Sequence, residues 1–478
     1  MAWWLKRLGF VFIASRLSYA LLGVKFIYGD LQAWQFIDPA LLRTDLLRSV
    51  FYQHSQPPLF NLFTGAVLQS FSTASTLVFQ AIFIGFGLVF CIVHFYLMLR
   101  LGVSRRVAFL IAAWFSLSPS VVLYENWFFY TFPLAVLLLL AALALLDFVE
   151  RKRGRGAAVF FGLLAIISLT QSTFHPFFVL LTLAALLWGL PDLRRRLLRG
   201  AVVPLSLLLL VSFKNVALFR TPAYSSWLGM SLARVVMVNV PEPERQRYVD
   251  EGKLSPLAMI EPFEAVERYP AAYHHVRGFE DVPVLSEMRK STGETNYNHL
   301  GFLGISKQYL ADSLSLIKAK PAAYLKGVAR SCFVYTKSTS DYGWLIDNRT
   351  RLFGWDELYN RVFYGRVRMQ AGFGHVRGAR GEPYDVYLLL ILGLPALLFY
   401  GLWLGVGKGA VPSRLTRAQR VPLLFMCACI AYVAAVGNLV EAGENNRFRF
   451  MTDALSFCVL GLVVERLVQA ASRRVART

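Results

Sequence analysis

The chain has 478 residues, is 56% hydrophobic with a mean hydropathy of +0.49, and carries only 17% charged residues. This balance excludes an ordinary soluble domain, which needs more charge at its surface, and points to a polytopic membrane protein. The net charge of +21 is not a nucleic-acid footprint: the basic residues stand in short blocks between apolar runs, at Arg151-Lys152-Arg153, Arg194-Arg195-Arg196, 414–420 and Arg473-Arg474. That is the positive-inside pattern, so the charge reports orientation rather than a partner.

The chain starts Met1-Ala2-Trp3-Trp4-Leu5-Lys6-Arg7 and lacks a small-residue cleavage site, so its first apolar run reads as a retained helix. Apolar runs long enough to cross a bilayer fall near 8–28, 75–99, 107–123, 127–148, 157–174, 175–190, 201–219, 386–406, 421–439 and 451–467. The basic blocks place 1–7, 100–106, 150–156, 191–200, 407–420 and the C-terminus in the cytoplasm. The loops opposite are then external: 29–56, the turns at 124–126 and 171–175, the long region 220–385, and 441–450. The run 57–72 breaks this alternation if it crosses, so it is expected to be re-entrant or to lie against the bundle beside a cavity. The expectation is an all-α protein of 10 or 11 membrane helices in the plasma (inner) membrane, with both termini inside. It divides into a membrane module over 1–219, an external, mainly helical insertion over 220–385, and C-terminal membrane helices over 386–478.

Within the insertion, Leu303, Leu310, Leu314 and Ile317 recur at helical spacing, and Pro321 ends that helix. A second helix follows over 322–335, and then an aromatic-rich piece, 342–364, suited to rest on the headgroup layer. Cys91, Cys427, Cys429 and Cys458 lie in apolar runs and Cys332 alone in the polar region, so no disulfide framework or zinc spacing follows. His274-His275 lacks partners at metal spacing, and neither a metal nor another cofactor is expected.

The stretch 28–61 holds most of the candidate chemistry, with Asp30, Asp38, Asp45, His54 and Gln56 between membrane segments. A carboxylate at the outer face suits a general base for an acceptor hydroxyl, which makes Asp38 and Asp45 the candidate catalytic residues. Asp38 before Pro39 reads equally as the N-cap of a short helix, and Asp45 as a partner of Arg43 or Arg48. Glu125 sits in a short external turn, where a charge needs a cavity, a partner or the water boundary. Arg16, near the middle of the first helix, must face the bundle and pair with an acid. Arg447 and Arg449 offer forks that match phosphate oxygens, or else neutralise Glu441 and Glu444. His175 either touches a sugar or phosphate or caps a helix break, and Lys337 either reaches a phosphate or is solvated.

Three elements together carry a resemblance. Asp38 or Asp45 is followed by His54-Ser55-Gln56-Pro57-Pro58-Leu59-Phe60-Asn61; Ser118-Pro119 leads to Tyr124-Glu125-Asn126-Trp127; and Glu444-Asn445-Asn446-Arg447-Phe448-Arg449-Phe450 precedes the last helix. These resemble the GT-C superfamily of membrane glycosyltransferases, which includes protein O-mannosyltransferases and lipid A aminoarabinose transferases. The adjacent acidic pair usual in that family is absent here. The resemblance implies a sugar donor linked to polyprenyl phosphate and an external lipid, glycan or protein acceptor. It implies an inverting transfer in which Asp38 or Asp45 takes the acceptor proton, while Arg447, Arg449 or His54 holds the phosphate. The alternatives are a lipid or glycan transporter or flippase, for which neither inverted repeats nor a central charged path stands out, and a ligase acting on lipid-linked glycans.

Overall fold

A computed structural model describes residues 1–32, 34–369, 384–407 and 415–475. Arg414 of the basic block and the side chain of Asp30 lie outside the described residues. Among the described residues the fold is helical apart from one antiparallel strand pair, in which β1 (Arg366–Met369) meets β2 (Tyr384–Tyr387), with Arg366 opposite Tyr387.

The first module runs α1 (Ala2–Leu21), α2 (Pro39–Thr44), α3 (Leu46–Tyr52), α4 (Leu59–Phe71), α5 (Ser75–Arg100), α6 (Arg105–Ser116), α7 (Pro119–Glu125), α8 (Thr131–Arg151), α9 (Gly154–Thr170), α10 (Pro176–Gly189) and α11 (Arg194–Phe219). The insertion follows with α12 (Leu228–Val236), α13 (Glu242–Asp250), α14 (Pro283–Ser286), α15 (Gly301–Ala319), α16 (Pro321–Tyr335), α17 (Ile346–Arg351) and α18 (Phe353–Tyr364). The chain closes with α19 (Leu388–Val406), α20 (Arg417–Val440) and α21 (Asn445–Val475). Two helices expected in the insertion, over 303–318 and 322–335, correspond to α15 and α16, and Pro321 starts the second at the position where its missing N–H costs nothing.

Among the described residues six helical stretches are long and apolar enough to cross a membrane, or up to seven if the bent pair α6–α7 is one span. The ten or eleven expected exceed that count for physical reasons. α1 carries Lys6, Arg7 and Arg16, and α9 and α10 are only 17 and 14 residues long. Short as they are, α9 and α10 join the two ends of the bundle. Gln171 and His175, between them, border a cavity at one end, while the carbonyl of Gly189 accepts from Arg417 at the other.

That other end gathers the basic blocks. Arg100 binds Asp147 and Glu150, Arg417 binds Asp192, and the Gln419 side chain donates to the carbonyl of Arg100. The backbone N–H of Ser104 donates to Glu465 at 2.9 Å. α20 spans from this cluster to the cavity, a distance of about 36 Å at 1.5 Å per residue.

α4 does not run on into α5 as one long span. Phe63 and Phe79 have ring centroids 5.8 Å apart, and Phe60 and Phe79 both pack on Phe128. In a straight helix 16 residues would separate the first pair by about 24 Å. The chain therefore folds back at Ser72–Ala74. Both ends of α4 bind the same loop: Asn61 accepts from Ile37 N–H and donates to the Gln35 carbonyl, and Gln69 donates to the carbonyls of Leu42 and Arg43. Segment 57–72 thus packs along its length against the loop at 35–43.

α6 and α7 meet at 58°, at Ser118-Pro119. Pro119 lacks the N–H to continue the helix, and the Ser118 hydroxyl caps the new one by accepting from Val121 N–H. The break frees the carbonyl of Leu117, which accepts from Tyr19 Oη at 2.7 Å and Trp355 Nε1 at 3.0 Å. Irregular backbone at this depth is thereby satisfied within the protein.

The insertion has its own core, built from Trp227, Met230, Phe302, Ile305, Tyr309 and Leu316. α12 packs so closely on α15 that a Cβ at Gly229 would fall 1.8 Å from the Ser306 carbonyl oxygen.

Candidate functional site

A cavity of about 330 Å³ opens where the loop 29–56, the turn 171–175, the start of the insertion and the α20–α21 connection meet. Its size sits at the lower end of the usual range for small-molecule sites, about 300–1000 Å³. Local structure explains the convergence. Ile27 N–H donates to the Asn126 carbonyl at 2.8 Å and its own carbonyl accepts from Phe128, which lays the loop beside the 126–130 turn. Gln35 then donates to Tyr130 Oη at 2.8 Å. His175 caps α10, its Nδ1 accepting from Phe177 N–H, and places the 171–175 turn opposite.

The cavity has two kinds of wall. Leu228, Tyr432, Val436, Val440 and Phe448 supply its apolar lining, and Gln35, Gln56, Gln171, Ser225 and Ser231 its polar lining. Charge enters from Arg234, Glu441, Glu444 and Arg447. Arg447 is 3% exposed and lies among the rings of Phe129, Tyr130, Tyr342 and Phe448, 4.7–5.8 Å from their centroids. It ion-pairs with Glu444 and donates to Thr131 Oγ1, but its Nε has no partner. Gln56 Oε1, Gln171 Oε1 and Trp227 Nε1 are also buried without partners. Buried polar atoms are normally satisfied, so these four leave the cavity lining with hydrogen-bonding capacity to spare.

The two carboxylates differ. Glu444 holds Arg447 and accepts from Tyr342 Oη at 3.0 Å. Burial acts upward on its carboxyl, but Arg447 and Arg234 outweigh it and the net shift is below the usual range. Glu441 has a loose pair, Arg234 at 3.7 Å, accepts from Ala442 N–H and is hydrogen-bonded by the Ser231 side chain. Burial pushes its carboxyl above the usual range, with Arg234 opposing. The site thus holds one carboxylate kept low by arginine and one raised by burial.

Of the residues singled out from sequence, Gln56, His175 and Arg447 line this cavity. The others do not, and each has a structural reason. Asp38 caps α2 by accepting from Ala40 N–H and receives both the N–H and the hydroxyl of Ser291, tying loop to insertion. Asp45 sits between α2 and α3, outside the cavity lining, and Arg48 pairs with Asp281 instead of with it. His54 is a buried staple: its Nε2 donates to the Asn298 carbonyl at 2.8 Å and its Nδ1 accepts from Ser226. Burial drives its pKa down to about 3, so it stays neutral and cannot attract a phosphate. Glu125 is 1% exposed and forked by Arg16, the acid that Arg16 was expected to need. Arg449 binds Asp453 at 3.1 Å and the Tyr335 carbonyl, and Lys337 lies over Phe333.

Sequence reasoning treated Glu441 and Glu444 only as partners for the arginines, and missed Arg234, Gln35 and Gln171. The signal for the glutamates was present: Glu441-Ala442-Gly443-Glu444 is a four-residue acidic link between two long apolar helices. Arg234 carried no such signal, because it lies on α12 far from the link in sequence and meets it only through folding. Among the described residues no group of three or more His, Cys, Asp and Glu side chains is placed to hold a metal ion. No protein-family profile, curated protein or solved structure matches the chain.

Proposed function

We propose that the protein is an inverting glycosyltransferase of the GT-C type, moving a sugar from a polyprenyl-phosphate donor to an acceptor hydroxyl at the outer face of the membrane. The observation that carries the reading is the pairing, in one cavity, of a guanidinium with an unpartnered Nε, Arg447, and a loosely held carboxylate raised by burial, Glu441. Arg447 and Arg234 serve the donor phosphate, since arginine forks match its oxygens and stabilise the charge that grows on it. The acceptor oxygen attacks the anomeric carbon, the bond from that carbon to the phosphate oxygen breaks, and the phosphate leaves with the electron pair. The acceptor proton passes to Glu441, which replaces Asp38 and Asp45 in the role of base. The apolar wall from α12 and α20 suits the isoprenyl chain, and the glutamine wall suits sugar hydroxyls.

The topology fits a total of ten crossings, with α1, α9 and α10 completing a bundle whose basic end faces the cytoplasm and whose cavity faces outward. The test is transfer by the full chain, reconstituted in liposomes, from a panel of labelled polyprenyl-phosphate sugars. The reading expects turnover by the wild type, its near-abolition in Glu441→Gln, and weakened donor use in Arg447→Lys. Full turnover by Glu441→Gln rules out the base assignment. Movement of labelled lipid across the bilayer with no new glycosidic bond, across the whole panel, makes the protein a transporter.

A further inference from the structure

A second, smaller pocket of about 20 Å³ lies directly behind the cavity, and the two share Trp34, Gln35 and Glu444. The rest of its lining is aromatic apart from backbone: Phe36, Trp127, Phe129, Tyr342 and Trp344. Trp127 and Phe129 are stacked, with centroids 4.4 Å apart and planes at 16°, which gives the pocket a flat floor. Trp34 is the largest of the side chains that stand between the two spaces.

Trp34 is held there against its own backbone preference. Its φ is +49°, in the left-handed region that a bulky residue seldom adopts. The surroundings enforce it from both sides. Lys290, 4% exposed, donates from Nζ to the carbonyls of Gln32 at 3.1 Å and Trp34 at 3.2 Å. Gln35 is fixed by Tyr130 and Asn61, and the Trp34 ring meets Trp344 edge to face at 6.0 Å. Strain of this kind persists where the environment over-determines it, and here it holds the Trp34 ring at the boundary of the two pockets.

We infer that Trp34 is the specificity-determining residue of the cavity: it restricts the seated glycan to one ring, and the aromatic pocket behind it is a second-ring subsite opened only by its removal. This rests on the cavity being the donor site proposed above. The flat aromatic floor suits the C–H face of a second sugar ring, and the polar atoms of Gln35 and Glu444 at the boundary suit its hydroxyls.

The test uses full-length protein in detergent and two probes, a short isoprenyl phosphate carrying a hexose and the same lipid carrying a disaccharide. Calorimetry should show the wild type binding the hexosyl probe at least about tenfold more tightly, and Trp34→Gly bringing the two within about twofold. Glycine adopts a positive φ freely, so this variant keeps the backbone; Trp34→Ala repeats the measurement with a Cβ. Added indole should occupy the vacated space in Trp34→Gly, raise its unfolding temperature and restore the discrimination, with no uptake by the wild type. A wild type that binds the hexosyl probe, with variants that discriminate as it does, overturns the inference alone. Absence of binding of either probe to any of the proteins overturns the donor site and the subsite together. Failure of indole to enter Trp34→Gly overturns the boundary role of Trp34.

Discussion

The arginine–glutamate pairs Arg16–Glu125 and Arg447–Glu444 differ in their surroundings. Arg16 and Glu125 join α1 to α7 inside the bundle, and every nitrogen of Arg16 has a partner: Nε and Nη2 bind the carboxylate, and Nη1 binds Ser15 and Ser116. A Cβ on Gly87 would come within 2.1 Å of Glu125 Oε2, so α5 packs directly against the carboxylate on that side. Arg447 and Glu444 are also buried, but they border open space, and Arg447 keeps an unpartnered Nε. The sealed pair braces the scaffold, whereas the pair at the cavity keeps hydrogen-bonding capacity beside open space.

Removing one partner of the sealed pair gives the largest expected effect. Arg16→Ala leaves Glu125 buried alone and should cost about 3–5 kcal/mol, read as early thermal unfolding in detergent. The double variant Arg16→Met, Glu125→Leu should recover most of that loss, and a failure to recover would mean the pair does more than brace the bundle. At the open site the effect should fall on chemistry instead. Glu441→Gln should lower the transfer rate about 10²–10⁴-fold with little change in unfolding temperature.

The pH dependence separates the two roles of Glu441. As a base it must be ionised, so activity should fall as pH drops through its raised pKa, and the glutamine variant should lack that limb. Ionising it in place works against folding, so its contribution to stability declines as pH rises through the same range. Activity and stability should therefore move in opposite directions there, and parallel curves would assign the transition to another group.

Arg447→Lys keeps the charge but loses the fork, and should weaken donor binding about 10–100-fold in a direct binding assay. The same exchange at Arg16 should register in stability rather than in binding, which sharpens the contrast. The smallest effects belong to the loop aspartates. Asp38→Ala should cost about 1 kcal/mol as a lost cap, while Asp45→Asn should leave both transfer rate and unfolding unchanged. A large loss of transfer in Asp45→Asn, with the fold intact, would move the base back to the loop.

Much of the scaffold was legible because its signals are local. The proline at 321 marks the boundary between α15 and α16, Ser118-Pro119 marks the α6–α7 bend, and the conflict of 57–72 with the basic blocks flags the stretch where the chain folds back between α4 and α5. The need of Arg16 for an acid follows from its depth in α1 alone. The site was only partly legible. Asp38 and Glu441 both precede or follow a helix at the same expected face, and nothing adjacent in sequence tells them apart. Asp38 is consumed by Ala40 and Ser291, whereas Glu441 lines the cavity with a loose pair to Arg234 beside its contacts with Ser231 and its neighbour's N–H.

By itself, the sequence determined the solvent this chain folds in, the orientation its basic blocks favour and the places where its helices stop. Those depend on hydropathy, charge and backbone geometry within a few residues. Only the tertiary structure decided which polar groups remain unsatisfied. That outcome depends on which side chain from a distant segment arrives first: Asn298 at His54, Arg16 at Glu125, Ser291 at Asp38. The cavity is where Gln56, Gln171 and Arg447 keep polar atoms that no such partner claims.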